Sequence, residues 1–220
     1  MSVAKTVAKL KCVFFTDEKA FYLDSPVNCQ NKRMWAAGRK HDIPSERLVK
    51  QHAKFSAHVM VSVGICYSGK GWLHFVADKV KINAKYYMEQ LLPGLLEDCH
   101  TLLQDEFMFQ QDGAPAHTAA LCQTHLMQLC PDFAGKDEWP PNSPDLNPLD
   151  FYVWGAMLDK YENHNPKPKN TTELKATLQD IWNELPQEQI ELAILSVRKR
   201  LTACVNAAGS HFEHLLPQGT

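Results

Sequence analysis

The chain has 220 residues, 45% of them hydrophobic and 22% charged, with a formal net charge of −2. This composition is ordinary for one globular domain with a full core. It includes no apolar run long enough to span a bilayer, and its near-neutral charge does not by itself indicate a nucleic-acid binder. The seven cysteines include no Cys-x-x-Cys pair, which favours buried thiols in a reducing compartment. Basic residues cluster locally, at 32–33, 39–40 and 198–200, where solvated faces and phosphate-contacting patches both remain open.

The first third of the chain predicts strands. Residues 11–23 contain the apolar run Cys12-Val13-Phe14-Phe15, which predicts a strand buried on both faces and therefore central in a sheet. The clearest signal covers 58–67, where β-branched residues alternate. The remaining expectations, in chain order, are a weaker strand over 28–37, a polar loop over 41–54, a hairpin turn at 68–71 and an antiparallel strand over 72–76.

Helices dominate the remainder. Asn83 as N-cap predicts a helix over 83–96, although Pro93 and Gly94 leave its end open. Asn147 at the N-cap and Pro148 at the first helical position predict a second helix start. The other expectations are a strand over 107–111, a helix over 117–129, a loop or short strand over 133–139, a break over 163–170 and helices over 171–185 and 186–207.

This order of elements predicts the fold class. Three antiparallel strands followed by alternating strands and helices indicate an α/β fold with a mixed five-stranded sheet flanked by helices and extra C-terminal helices. The succession fits the ribonuclease H-like fold.

Three aspartates stand at the ends of predicted elements. Asp17 lies in the buried first strand, Asp112 follows the strand over 107–111, and Asp150 lies in the first turn of the helix that begins after Asn147. Carboxylates that a fold brings together bind Mg²⁺ or Mn²⁺, which prefer oxygen ligands, and two such ions catalyse phosphoryl transfer on nucleic acids. We therefore predict that these three residues form a two-metal site.

Each aspartate also has a purely structural interpretation. Asp112 precedes glycine, a common turn pair, and Asp150 is placed to interact with a helix dipole. Asp17, at a strand end, has a similar structural alternative. Asp145 is interpreted as a loop-supporting residue, and Glu18 is expected on the opposite face of its strand from Asp17. A zinc site is not favoured by the spacing of its candidate ligands, His117, Cys122, His125 and Cys130.

Three motifs resemble the catalytic domain of mariner-type transposases, members of the DDE/DDD integrase superfamily with the ribonuclease H-like fold. The similarity extends over most of the chain, including the strand-turn-strand at 59–72 and residues 209–214. The motifs are Phe15-Thr16-Asp17-Glu18, Gln110-Gln111-Asp112-Gly113-Ala114-Pro115-Ala116-His117-Thr118 and Ser143-Pro144-Asp145-Leu146-Asn147-Pro148-Leu149-Asp150.

The resemblance implies Mg²⁺- or Mn²⁺-dependent cleavage of transposon ends and joining of 3′-hydroxyls to target DNA. The metal ligands would be Asp17, Asp112 and Asp150, holding two ions. It further implies double-stranded DNA partners (terminal inverted repeats and target DNA), a nuclear location, and no membrane; a homodimer is one assembly that it allows. We expect a catalytic core over 1–162 and a helical extension of the same domain over 163–220.

Two departures from the family pattern leave alternatives open. Only 16 residues precede Asp17, so the N-terminal helix-turn-helix modules of such transposases are expected to be absent from this sequence. The spacer between Asp112 and Asp150 has 37 residues (150 − 112 − 1), slightly more than is common, and we expect the extra ones within 130–138. A catalytically silent DNA- or protein-binding domain of transposon origin and a ribonuclease acting on RNA–DNA hybrids are the rival hypotheses.

Overall fold

The fold is built on a mixed sheet with β1 at its centre. The computed structural model describes residues 9–23, 57–130, 132–135, 143–207 and Phe212. Within these ranges the sheet has six strands, in the order β3-β2-β1-β5-β6, with β4 also paired to β2. The strands are β1 (Val13–Tyr22), β2 (His58–Cys66), β3 (Gly69–Lys70), β4 (His74–Phe75), β5 (Met108–Gln110) and β6 (Asp132–Phe133).

The position of β1 follows from its apolar sequence. It pairs antiparallel with β2, where Asp17 lies opposite Val63, and parallel with β5, where Phe15 lies opposite Gln110. Phe14 and Phe15 point to opposite faces and both are buried, as expected of a strand covered on both sides. The predicted central strand is therefore confirmed.

The hairpin after β2 differs from the prediction. Residues 68–71 were expected to form the turn, but Tyr67 and Ser68 form it and β3 already pairs with Ile65 and Cys66. The chain then leaves β2, because the backbone N–H of Trp72 donates to Asp98, and it pairs again only at β4. With this short β3 and with β6, the sheet has six described strands where five were predicted. The strand predicted over 28–37 and the loop over 41–54 lie outside the described residues.

One helix continues past the end predicted for it. The helix α1 begins after the N-cap Asn83 and runs through Ala84–Tyr86, a π-helical turn at Tyr87–Leu91 and Leu92–Leu103. The π-helical turn ends at Leu91, so Pro93 falls in the first turn of the following segment, where its missing N–H is tolerated. The helix can therefore continue to Leu103. A Cβ on Gly94 would lie 2.6 Å from the His74 ring, so glycine allows α1 to approach β4 closely.

The other helices lie close to their predicted bounds. The helix expected over 117–129 is split at Ala119, which has an extended backbone. The helix expected after Asn147 starts with a π-helical turn. The set comprises α2 (Pro115–Thr118), α3 (Ala120–Leu129), a 3₁₀ turn (Pro144–Leu146), α4 (the π-helical turn Leu149–Val153 and the α-helix Trp154–Asn163), α5 (Thr171–Asn183) and α6 (Gln187–Asn206).

Two hydrophobic cores lie on opposite faces of the sheet. One contains Phe15 and Val63 with residues of α4, α5 and α6, including Trp154. The other contains Phe14 with residues of α1, α3 and β5. The predicted α/β fold with helices on both faces is therefore confirmed. None of the helices in the described ranges combines the length and the apolar character that crossing a membrane requires.

Candidate active site

Asp17 was expected at the end of a strand, but β1 continues past it to Tyr22, so Asp17 is a buried carboxyl in the middle of the strand. Its side chain points to the face covered by α4, where its Oδ2 accepts a hydrogen bond of 2.6 Å from the indole Nε1 of Trp154. Burial, followed by the negative charge of Asp150, raises the pKa of Asp17 from 3.8 to about 7, although the Trp154 bond acts in the opposite direction. The raised value marks a site where negative charge is unfavourable in the absence of a counter-charge.

Asp150 is brought to Asp17 by the start of α4. The side chain of Asn147 accepts the backbone N–H of Leu149 at 3.0 Å and donates to the backbone oxygen of Thr16 at 3.1 Å. Because Thr16 directly precedes Asp17, this asparagine both caps the helix and ties it to β1. Burial raises the pKa of Asp150; the charge of Lys19 and a hydrogen bond with Asp17 act against that rise.

Asp112 follows β5 on the neighbouring strand. The hydroxyl of Thr16 donates to the backbone oxygen of Gln110 at 2.8 Å, which fixes β5 beside β1. The Oδ1 of Asp112 accepts the backbone N–H of Ala114 at 3.0 Å and lies 2.5 Å from Nδ1 of His117. Burial favours a higher pKa for Asp112, but the bond and positive charge of His117 outweigh it and hold this pKa below 3.8.

His117 lies between two carboxylates. Its Nε2 is 3.3 Å from Oε2 of Glu18, and Oε1 of Glu18 accepts the hydroxyl of Ser62 at 2.8 Å. Burial favours the neutral ring, yet the bonds and charges of Asp112 and Glu18 raise the pKa of His117 to about 10. The ring is therefore a buried cation at neutral pH, with 2% of its side chain exposed.

Of the three predicted aspartates, two interact directly and the third is bonded to His117. Asp17 and Asp150 interact directly, and the charge of Asp112 contributes to the raised pKa of Asp150. Oδ1 of Asp112, however, is bonded to His117, and the described part of the chain contains no group of three or more His, Cys, Asp or Glu side chains arranged to hold a metal ion. Their assignment as metal ligands remains a prediction.

Other predicted residues have different surroundings. Asp145 lies in the 3₁₀ turn, where its backbone oxygen accepts a bond from Arg200 at 3.0 Å. Glu18 points to the face opposite Asp17, as expected, and contacts His117 there. Cys122 and Cys130, two of the four weighed as zinc ligands, are buried in the core beside α1 and α3, where burial raises the pKa of each thiol.

The sequence interpretation missed three supporting contacts. Trp154 lies in the core, and its position four residues after Asp150 places both residues on one face of α4. The bonds from Asn147 to Thr16 and from His117 to Glu18 cross between elements far apart in the chain. No sequence pattern indicates these two contacts.

The chemistry of the site fits a divalent metal ion. Its candidate donors are carboxylate oxygens, the ligands preferred by Mg²⁺ and Mn²⁺. Burial, followed by the charges of nearby carboxylates, raises the pKa of Asp17 and of Asp150, and a bound cation would favour the ionised form of both.

A mixed sheet with helices on both faces, whose central strand carries Asp17, fits the ribonuclease H-like class. By fold the chain matches the catalytic domain of the Mos1 mariner transposase, with a TM-score of 0.69 and 20% identity over 95% of this chain and 88% of that one. A Mos1 paired-end complex with the left transposon end and a Mos1 paired-end complex with Mn give TM-scores of 0.77 and 0.76 at 21% and 22% identity, covering 95% and 96% of this chain and 59% of those.

In sequence the chain is homologous to the Tc3 transposase of Caenorhabditis elegans. The two are 27% identical over 199 residues, which cover 90% of this chain and 56% of that relative. The chain thus spans little more than half of the relative's length. No protein-family model matches the chain.

Proposed function

We propose that this chain is the catalytic domain of a metal-dependent DNA transposase that cleaves transposon ends and joins the 3′-hydroxyls to target DNA. The observation that carries the proposal is the pair formed by Asp17 and Asp150, two interacting carboxyls from distant parts of the chain. Burial raises both pKa values, and the negative charge of Asp150 adds to the rise at Asp17, as that of Asp112 does at Asp150. The Tc3 homology and the Mos1 fold support the same activity.

In this proposal Asp17, Asp112 and Asp150 hold two Mg²⁺ or Mn²⁺ ions. Mos1 structures with Mn and with Mg support the choice of metal. When bound, such ions activate an attacking oxygen and stabilise the leaving oxygen of a phosphodiester. The attacking oxygen belongs first to water and then to a DNA 3′-hydroxyl.

The protein's own contribution is to fix the three carboxylates in space. Trp154 holds Oδ2 of Asp17, and Asn147 holds the start of α4 against β1. The backbone N–H of Ala114 and the ring of His117 hold Oδ1 of Asp112. Catalysis of phosphoryl transfer depends mostly on such positioning and on charge stabilisation, because the protein makes no covalent bond to the phosphate.

The partners, location and domain extent belong to the same proposal. We infer double-stranded DNA partners, both transposon ends and target, together with a nuclear location and a homodimer as the assembly to be tested. We also infer that the helices over 163–220 extend the catalytic core over 1–162. In support, Leu178 of α5 and Ile194 of α6 pack in the same cluster as Phe15 of β1.

Nicking of DNA tests the proposal directly. The substrate is a supercoiled plasmid carrying terminal inverted repeats from beside the gene, and a 3′-hydroxyl oligonucleotide reports strand transfer. We expect Mn²⁺ or Mg²⁺ to support nicking and EDTA to abolish it. Asp17→Asn, Asp112→Asn and Asp150→Asn each lower the rate by on the order of 10³-fold, because a metal ion stabilises the transition state by several kcal/mol.

Asp145→Asn is the matched control, because Asp145 belongs to the same motif but not to the proposed metal site. It is expected to keep the wild-type nicking rate. Equal nicking by the wild type and Asp112→Asn would point to a contaminating nuclease and remove the assignment. Binding of duplex DNA without any metal-dependent nicking would instead indicate a silent DNA-binding domain.

A further inference from the structure

A line of polar side chains approaches Asp112 from the face of the sheet opposite Asp17. The hydroxyl of Ser62 on β2 donates to Oε1 of Glu18 on β1, and Oε2 of Glu18 lies 3.3 Å from Nε2 of His117. Nδ1 of the same ring lies 2.5 Å from Oδ1 of Asp112. Neighbouring residues of a strand point to opposite faces. Asp17 therefore contacts Trp154 on one face of the sheet, and Glu18 contacts His117 on the other.

The His117 ring is held in place from several directions. Its two nitrogens face carboxylate oxygens and therefore both donate hydrogen bonds. The Tyr87 ring lies 4.3 Å from it, centroid to centroid. The backbone oxygen of His117 accepts bonds from the side chains of Gln111 and Gln123, at 3.3 and 3.0 Å. The ring is thus fixed by its bonds, its packing and its backbone together.

The consequence for Asp112 concerns its two oxygens. Within the described residues, both donors that reach this carboxylate, the ring of His117 and the N–H of Ala114, bond to Oδ1. A charge-assisted bond of this kind is short and directional, so it sets the plane of the carboxylate. Oδ2 is the oxygen that this arrangement reserves for another ligand.

We propose that His117, supported by Glu18 and Ser62, is a positioning residue for Asp112: it holds Oδ1 and thereby presents Oδ2 to a divalent metal ion. The proposal deepens the function proposed above and rests on it. In metal sites generally, groups that orient a ligand through a hydrogen bond affect metal affinity strongly when they are removed.

Metal affinity of the full chain provides the test, with Mn²⁺ alone as the probe and calorimetry or electron paramagnetic resonance as the readout. His117→Asn places an amide N–H where Nδ1 was, so it keeps a donor to Asp112 and loses the contact to Glu18. His117→Gln places its amide near the former Nε2, so it does the reverse. We expect His117→Gln to weaken Mn²⁺ binding by about 10–100-fold and His117→Asn to remain close to the wild type.

A second histidine–aspartate pair, with a buried aspartate and a partly exposed histidine, supplies the matched control. Nε2 of His74 lies 2.8 Å from Oδ2 of Asp98, between β4 and α1, outside the proposed metal site. His74→Gln is expected to lower the thermal midpoint without changing Mn²⁺ affinity. If both His117 variants lose affinity in step with their loss of stability, or if His117→Gln binds like the wild type, the positioning role is wrong.

One measurement on the wild type requires no variant to fold. In ¹⁵N-histidine-labelled protein, Mg²⁺ is expected to move the Nδ1 resonance of His117 and to leave those of His74 in place; no movement at His117 would overturn the proposal. The outcomes also separate the two proposals. Binding of Mn²⁺ that depends on His117, without DNA nicking, removes the transposase function and keeps the positioning role. Metal-dependent nicking, together with a Mn²⁺ affinity that the His117 variants do not change, keeps the transposase function and removes the positioning role.

Discussion

Asp17 makes the stability of the protein depend on pH. Its pKa rises from 3.8 to about 7 on folding, so between these values the unfolded carboxyl has lost its proton while the folded one retains it. The unfolded state is therefore favoured progressively as the pH rises through this window. We expect the Asp17 contribution to lower the free energy of unfolding by on the order of 2–4 kcal/mol between pH 4 and pH 7 in metal-free protein.

Asp17→Asn removes this dependence, since the amide is neutral and can still accept the bond from Trp154. Urea unfolding at a series of pH values in EDTA measures the difference between the two proteins. The variant is expected to be more stable than the wild type at pH 8 and to differ little from it at pH 4. Parallel curves for the two proteins would show that Asp17 ionises normally.

Trp154 is expected to stabilise the ionised form of Asp17, because its indole N–H donates to that carboxyl at 2.6 Å. Trp154→Phe removes the donor, so the pKa of Asp17 should rise further, as followed by NMR titration. Trp182→Phe is the matched control: Trp182 is buried in the same core, but its Nε1 donates to the backbone oxygen of Gly71. Both variants are expected to lose about 1–3 kcal/mol of stability for the lost bond. A rise in the pKa of Asp17 in both variants would show that altered packing, and not the lost Trp154 donor, changes this pKa.

The cap at the start of α4 positions Asp150, a proposed metal ligand, and also stabilises the helix. Asn147 is buried, caps α4 and bonds to Thr16 of β1, whereas Asn170 is an exposed N-cap of α5 that accepts the N–H of Glu173 at 2.9 Å. We expect Asn170→Ala to cost about 1 kcal/mol in urea unfolding. Asn147→Ala should cost about 2–4 kcal/mol, because the backbone oxygen of Thr16 is also left without that donor.

The two caps also separate stability from activity. Nicking is expected to fall strongly in Asn147→Ala, assayed where the variant is fully folded, and to persist in Asn170→Ala. Activity that tracks stability alone in both variants would contradict a positioning role for the Asn147 cap.

Local patterns in the sequence predict the elements well, and the contacts between them poorly. The apolar run at Val13–Phe15 predicts β1, and the Asn147-Pro148 pair predicts the start of α4. Both predictions succeed because the signals for burial and for capping lie within a few consecutive residues. Pro93 suggested a helix end, but a π-helical turn accommodates it. The bond from Trp154 to Asp17 joins residues 137 positions apart, and only the completed packing of α4 on the sheet determines it.

The site lies where the two cores of the molecule adjoin the same strand. Asp17 faces the core that contains α4, and Glu18 faces the side that contains α1 and α2. Asp150 lies on the first side, at the start of α4, where it interacts with Asp17. Asp112 is held from the second side by its bond to His117. A metal ion shared by these carboxylates would therefore link both halves of the fold and stabilise the molecule as a whole.

This linkage predicts a metal-dependent thermal midpoint. Mn²⁺ at about 100 times its dissociation constant stabilises the folded state by about 2.7 kcal/mol, which corresponds to a rise of roughly 5–10 °C for a chain of this size. At pH 5.5 the rise should be smaller than at pH 8, because the pKa of Asp17 is about 7 and the ion must then displace a proton. Asp105→Asn, which removes an exposed carboxylate after α1, should keep the full rise, whereas Asp17→Asn should lose most of it. An equal rise in both variants, measured by differential scanning calorimetry against an EDTA control, would mean that Mn²⁺ stabilises the protein from somewhere other than this site.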